Sequence, residues 1–105
     1  MKTVITVVTL GPGAPGLLTL QAADALKSAK TLVLRTAHHP VAAWLTEQGA
    51  SFQTLDALYD AYEDFDALHA AMAAQLWTLA AASPVTYGVM DAATDGSVAA
   101  LLATM

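Results

Sequence analysis

No cysteine occurs in this sequence, so it can build neither a disulfide framework nor a thiolate metal site. That absence suits a reducing cytoplasm. Positive charge is nearly as scarce. Lys2, Lys27, Lys30 and Arg35 stand against nine acidic residues, for a formal net charge of −5. Such a chain has little with which to neutralise phosphates, and nucleic acid is not expected as a partner. Long apolar runs are missing too. The longest candidate, residues 65–82, is interrupted by Asp66, His69 and Gln75, short of the roughly 20 apolar residues a spanning helix needs. The start, one lysine followed by β-branched residues, lacks the basic-then-apolar layout of a signal peptide. No membrane partner is expected.

What is present is aliphatic. Apolar residues make up 56% of the 105, above the usual share for a soluble domain, and much of the excess is alanine, which favours close helix packing. The length allows one domain with one core. Residues 2–10, from Lys2 to Leu10, are rich in Val, Ile and Thr and predict a buried parallel strand. Gly11-Pro12-Gly13-Ala14-Pro15-Gly16 ends it, and Thr19 can cap a helix whose apolar face carries Leu18, Ala22, Ala25, Leu26 and Ala29. Residues 31–35 predict a second strand. Pro40 then suits the first turn of a helix that Gly49 stops. Residues 51–54 predict a third strand and residues 56–62 a short helix. Phe65, Leu68, Met72, Leu76 and Leu79 recur at helical spacing behind the cap Asp64. Residues 85–90 predict a fourth strand, and Asp95 can cap a last helix carrying Val98, Leu101, Leu102 and Met105. Five of the nine acidic residues lie between positions 56 and 66, which fits a solvated helix face and its turn.

Strands alternating with helices predict a three-layer α/β/α domain with a mainly parallel sheet of about four to five strands. Ligands of such sheets collect beyond the carboxyl ends of the strands. The three loops leaving those ends, residues 11–16, 36–39 and 91–94, are where a site belongs. The first is glycine-rich between strand and helix, so its backbone can approach a ligand. Its spacing is neither a dinucleotide fingerprint nor a P-loop. Arg35, at a strand's carboxyl end, is a candidate for an anion such as a substrate carboxylate. His38 and His39 are adjacent and point in different directions, without an obvious third ligand, so no metal site is expected. His39 fits better as the start of the helix before Pro40. Trp44, Trp77, Tyr59 and Tyr62 are packing residues with polar tips.

The wording of the first loop is more specific than its composition. Residues 7–20, including Gly11-Pro12-Gly13-Ala14-Pro15 and Leu17-Leu18-Thr19, resemble the opening signature of the tetrapyrrole (corrin/porphyrin) methylases, a strand followed by G-x-G-P-G-[DA]-P-x-L-L-T. Residues 22–29 resemble the helix that follows. Residues 31–40, with their L-R-T-x-x-H-P wording, and residues 52–65 are similar to a subgroup often fused to a MazG-type nucleotide pyrophosphohydrolase. The resemblance implies the N-terminal domain of a two-domain methyltransferase, with residues 1–105 a fragment that lacks the second domain. It implies S-adenosylmethionine as cofactor, held between the halves, and a tetrapyrrole-like or other large small molecule as substrate. Catalysis in such enzymes is mainly positioning, a sulfonium held in line with a nucleophile of the substrate. The substrate side of the cleft would be lined by Gly11, Pro12, Gly13, Ala14, Pro15, Arg35 and His38. The cofactor loop would be Met90, Asp91, Ala92 and Ala93. A homodimer and a fused or associated pyrophosphohydrolase are the implied partners.

Three departures from the signature qualify that inference. Thr9 stands where it has glycine, and Ala14 where aspartate is common. The stretch Met90-Asp91-Ala92-Ala93-Thr94 stands where a Pro-Gly-x-Pro turn brings backbone to the cofactor. Two functions therefore remain open: a methyltransferase domain, inactive as this fragment alone, and a catalytically degenerate binding or regulatory module. An unrelated nucleotide-binding domain rests only on the glycine loop and ranks behind both.

Overall fold

The computed structural model describes residues 3–105, so Lys2 of the expected first strand lies outside the described residues. The elements are β1 (Ile5–Thr9), a 3-10 turn (Pro15–Leu17), α1 (Leu20–Ser28), β2 (Thr31–Leu34), α2 (Pro40–Glu47), β3 (Gln53–Thr54), α3 (Asp56–Tyr59), α4 (Phe65–Ala82), β4 (Val85–Val89) and α5 (Gly96–Ala103). The sheet has four strands in the order β1-β4-β2-β3, every pair parallel. Helices cover both faces, as the alternation of elements predicts.

The period-two alternation of strand side chains divides the core into two layers. Leu32 and Leu34 of β2, with Val8 and Leu10, meet Leu26 of α1 and Val41, Ala42 and Leu45 of α2. Val33, with Val85, Tyr87 and Val89 of β4, faces the other way, against Leu68, Met72 and Leu76 of α4 and Val98 and Leu101 of α5. Gly88 sits on the first face, where a Cβ would lie 2.8 Å from Leu34 Cδ2 and 3.2 Å from Leu10 Cδ2. The close approach of these leucines to the central strand requires glycine there.

Caps follow the sequence closely. Thr19, Asp64 and Asp95 each accept a backbone N–H in the first turn of α1, α4 and α5. Gly49 ends α2 with φ +78°, a left-handed stop that glycine enters at little cost. Two expectations need correction. β1 lies at the edge of this sheet and pairs only with β4 among the described strands, so Val8 alone of its residues is buried. Its β-branched run reflects strand propensity rather than burial on both faces. Phe65, Leu102 and Met105 are expected on apolar stripes, yet they are 72%, 64% and 86% exposed; Phe65 opens α4 and Met105 lies beyond the end of α5.

Candidate functional site

A cleft of about 380 Å³ opens at the carboxyl end of the sheet, lined by Arg35, His38, His69, Met90, Asp91 and Asp95 among others. Arg35 directly follows β2, and its N–H extends the ladder by donating to Gly88 O at 3.0 Å. Its Nε lies 3.0 Å from Asp95 Oδ2, but is not aligned for a hydrogen bond, so the contact is an ion pair. The guanidinium carbon lies 5.4 Å from the centre of the Tyr59 ring, within cation–π range. Burial raises the Tyr59 hydroxyl above its ordinary pKa despite the opposing charge of Arg35. The two Nη amines of Arg35 make no hydrogen bond to any described residue.

Behind Arg35 a polar chain runs into the core. Asp95 Oδ1 accepts from the N–H groups of Ser97 at 2.8 Å and Val98 at 3.2 Å, and from the Ser97 hydroxyl. Ser97 Oγ lies 2.7 Å from the hydroxyl of Tyr87, and both residues are 0% exposed. A carboxylate can only accept, so Ser97 donates to Asp95 and Tyr87 donates to Ser97. Burial pushes the Tyr87 phenol far above its ordinary range, more than the bond to Ser97 lowers it, which keeps that donor in place.

The loop after β2 is pinned from two sides. Ala37 N–H donates to Asp56 Oδ2 at 2.9 Å, and His38 N–H to Thr36 Oγ1 at 3.1 Å. Burial acts to raise the Asp56 carboxyl, but the bonds from Ala37 and Thr36 and the nearby His38 outweigh it and hold it below the ordinary range. His39 is buried. Its Nε2 lies 2.7 Å from Gly11 O and its Nδ1 accepts from Val41 N–H at 3.1 Å. A carbonyl only accepts, so the Nε2–H tautomer satisfies both bonds. His39 thus caps α2 and ties the glycine-rich loop to the loop after β2. His38, by contrast, is exposed. No group of three or more potential metal ligands occurs among the described residues.

The loop after β4 is closed on itself. Ala92 N–H donates to Thr9 Oγ1 at 3.1 Å and Ala93 N–H to Asp91 Oδ1 at 3.0 Å. The N–H groups of Thr94 and Asp95 both donate to Asp91 O, at 3.3 and 3.1 Å. Four consecutive amides are therefore satisfied inside the protein. Two of the departures from the signature, Thr9 and residues 90–94, touch each other: the hydroxyl that replaces glycine holds the loop that replaces Pro-Gly-x-Pro.

Of the residues expected at a site, Arg35, His38, Met90 and Asp91 line the cleft. Gly11 lines a neighbouring groove along β1 and α1. Pro12, Gly13, Ala14 and Pro15, and likewise Ala92 and Ala93, are not among the residues lining the cleft. The structure adds Asp95, His69 and Phe65. His69 packs over Gly96, where any Cβ would clash with its ring. Phe65 stacks on His69 with ring centres 6.3 Å apart, which gives that exposed aromatic a place at the cleft mouth.

This fold, with its glycine-rich loop after β1 and its cleft at the strand ends, is that of a methylase-type α/β domain. Residues 4–100 match the family of tetrapyrrole (corrin/porphyrin) methylases, and the chain belongs to that family. It is similar to an uncharacterized protein, YabN, of Bacillus subtilis (strain 168), at 33% identity over 85 residues, 81% of this chain and 17% of that protein. The chain thus matches about a sixth of the length of that relative.

Proposed function

We propose that this domain is a methylase-type ligand-binding module that has given up the family's backbone grip on S-adenosylmethionine. The observation that carries this reading is the closed loop of residues 91–95. The family's turn offers backbone to the cofactor, whereas here the N–H groups from Ala92 to Asp95 are taken by Thr9 and Asp91. Freeing a satisfied amide for a ligand costs about as much as the hydrogen bond lost. Residues 90–93 therefore do not fit the cofactor as the signature would have them, and no methyl transfer is assigned to this chain. The open side of the cleft, with Arg35 and His38, remains available for a small-molecule ligand.

A second reading is favoured by the glycine-rich loop, which keeps Gly11, Gly13 and Pro15 of the signature, and by its tie through His39. In that reading the complete protein is a methyltransferase acting on a tetrapyrrole-like substrate, with a second domain supplying the hold on S-adenosylmethionine. Titration of the chain with S-adenosylhomocysteine separates the two from one side. The binding-module reading predicts no saturable shift of the Ala92 and Ala93 amides, and a saturable shift there refutes it. Methyl transfer by a longer protein containing the second domain would refute it equally.

Self-association and association with a MazG-type nucleotide pyrophosphohydrolase, in the cytoplasm, complete the proposal. Leu102 and Met105, three positions apart at the end of α5, are 64% and 86% exposed, and an apolar surface there is one that a homodimer would cover. Sedimentation should show a concentration-dependent dimer; a monomer at every concentration would contradict it.

A further inference from the structure

We infer that Tyr87, Ser97 and Asp95 form a positioning chain for Arg35, and that Arg35 thereby receives a carboxylate group of a small ligand in the cleft. The inference rests on the proposal that the cleft binds a ligand, and adds the class of ligand and the residues that prepare the site.

The geometry carries it in three steps. First, an arginine side chain loses considerable rotamer freedom when fixed, and here two contacts fix it beforehand. Asp95 Oδ2 holds its Nε end at 3.0 Å, and the Tyr59 ring covers one face at 5.4 Å. Second, Asp95 is itself held. Its Oδ1 takes two backbone N–H groups of α5 and the Ser97 hydroxyl, and Ser97 is anchored by Tyr87 in the core at 2.7 Å. The cap alone would need only the backbone bonds. The additional buried hydroxyls of Ser97 and Tyr87 reach the same carboxylate that Arg35 uses. Third, the Nη amines make no hydrogen bond to any described residue while Arg35 borders the cleft. They present two parallel donors, the arrangement that a carboxylate matches.

The charge balance selects the ligand. Asp95 shares the charge of Arg35, and Asp91 also lines the cleft. A phosphate would concentrate up to two charges on the one group that meets this already shared guanidinium, whereas a carboxylate group brings one charge there and two oxygens that match the paired donors.

The test is a nuclear magnetic resonance titration of the 105-residue chain with succinate, with succinamide as the uncharged control and inorganic phosphate as the alternative anion. Succinate should shift the Arg35 Nε–Hε signal and the Thr36 and Thr94 amides saturably, and the other two probes should not. Arg35→Lys should weaken succinate at least about tenfold, because lysine cannot offer the paired donors. Tyr87→Phe and Ser97→Ala leave the charge of the cleft unchanged, so their effect reports orientation. Releasing one immobilised side chain should weaken succinate by about two- to tenfold. The heteronuclear Overhauser effect of Arg35 Nε–Hε should fall in parallel. If Ser97→Ala does not fold, Tyr87→Phe, which removes one oxygen, decides the matter.

Unchanged affinity and unchanged Arg35 order in Tyr87→Phe would overturn the positioning chain. Wild-type succinate binding by Arg35→Lys, no saturable shift with succinate, or phosphate binding as tightly as succinate would overturn the carboxylate site. S-adenosylhomocysteine also carries a carboxylate, so the two tests are told apart by site: shifts at Arg35 and Thr36 report the carboxylate site, and shifts at Ala92 and Ala93 report the cofactor loop of the proposed function.

Discussion

Removing either hydroxyl of the buried pair Tyr87–Ser97 should not cost the same, and the direction of the hydrogen bonds says which costs more. In Tyr87→Phe the Ser97 hydroxyl keeps its acceptor, Asp95 Oδ1, and no buried donor is orphaned. The loss is one neutral hydrogen bond, about 0.5–1.5 kcal/mol. In Ser97→Ala the Tyr87 hydroxyl, 0% exposed, loses its partner, at about 1–3 kcal/mol. Asp95 also loses one donor while keeping two backbone N–H groups, so the combined loss is about 2–4 kcal/mol. At about 4–8 °C per kcal/mol for a domain near this size, Tyr87→Phe should lower Tm by about 2–12 °C and Ser97→Ala by about 8–32 °C. The double variant removes donor and partner together and should be more stable than the sum of the singles predicts. Thermal unfolding followed by circular dichroism reads all three. Equal losses, a larger loss for Tyr87→Phe, or strict additivity would refute the assigned direction of the chain.

Gly88→Ala places a methyl 2.8 Å from Leu34 Cδ2 between buried leucines, and overpacking of this kind should cost about 1–3 kcal/mol. Pairing it with Leu34→Ala should recover part of that loss, measured in the same melts. Thr9→Val removes the acceptor of the Ala92 N–H, so exchange of that amide with solvent should accelerate while β1 pairing persists. An unchanged exchange rate would mean that Thr9 does not hold the loop. The Asp56 carboxyl lies below its ordinary pKa in the folded protein. Its stabilising contribution is therefore present above the ordinary carboxylate range and lost as pH falls through the lowered value. The Tm difference between the wild type and Asp56→Asn should accordingly narrow on acidification, and a gap that widens would contradict the sign.

The fold was legible because local signals and global alternation agree. Thr19, Asp64 and Asp95 cap the helices they precede, Pro40 opens α2 and Gly49 closes it. β1 was the exception, since a β-branched run is the same at an edge as in the middle of a sheet. The loops at the strand ends were also legible, and with them Arg35, His38, Met90 and Asp91. Asp95 could be read as a cap, but its second oxygen meets Arg35, 60 positions away in the chain, and no local pattern links the two. His69 is an ordinary helix residue in the sequence; only the packing of α4 against the start of α5 brings its ring over Gly96. The bond from Ala92 to Thr9 likewise joins two positions that each look like an isolated departure from a signature.

From Ala92 to Asp95 the loop after β4 has no free backbone N–H to offer a cofactor. A titration of the chain with S-adenosylhomocysteine, followed through the amide resonances of Thr9 and of residues 91–95, tests it most directly. These resonances should stay in place up to millimolar ligand. A saturable shift centred on Ala92 and Ala93 would show the loop opening to the cofactor, and would return the domain to the ranks of binding-competent methylases.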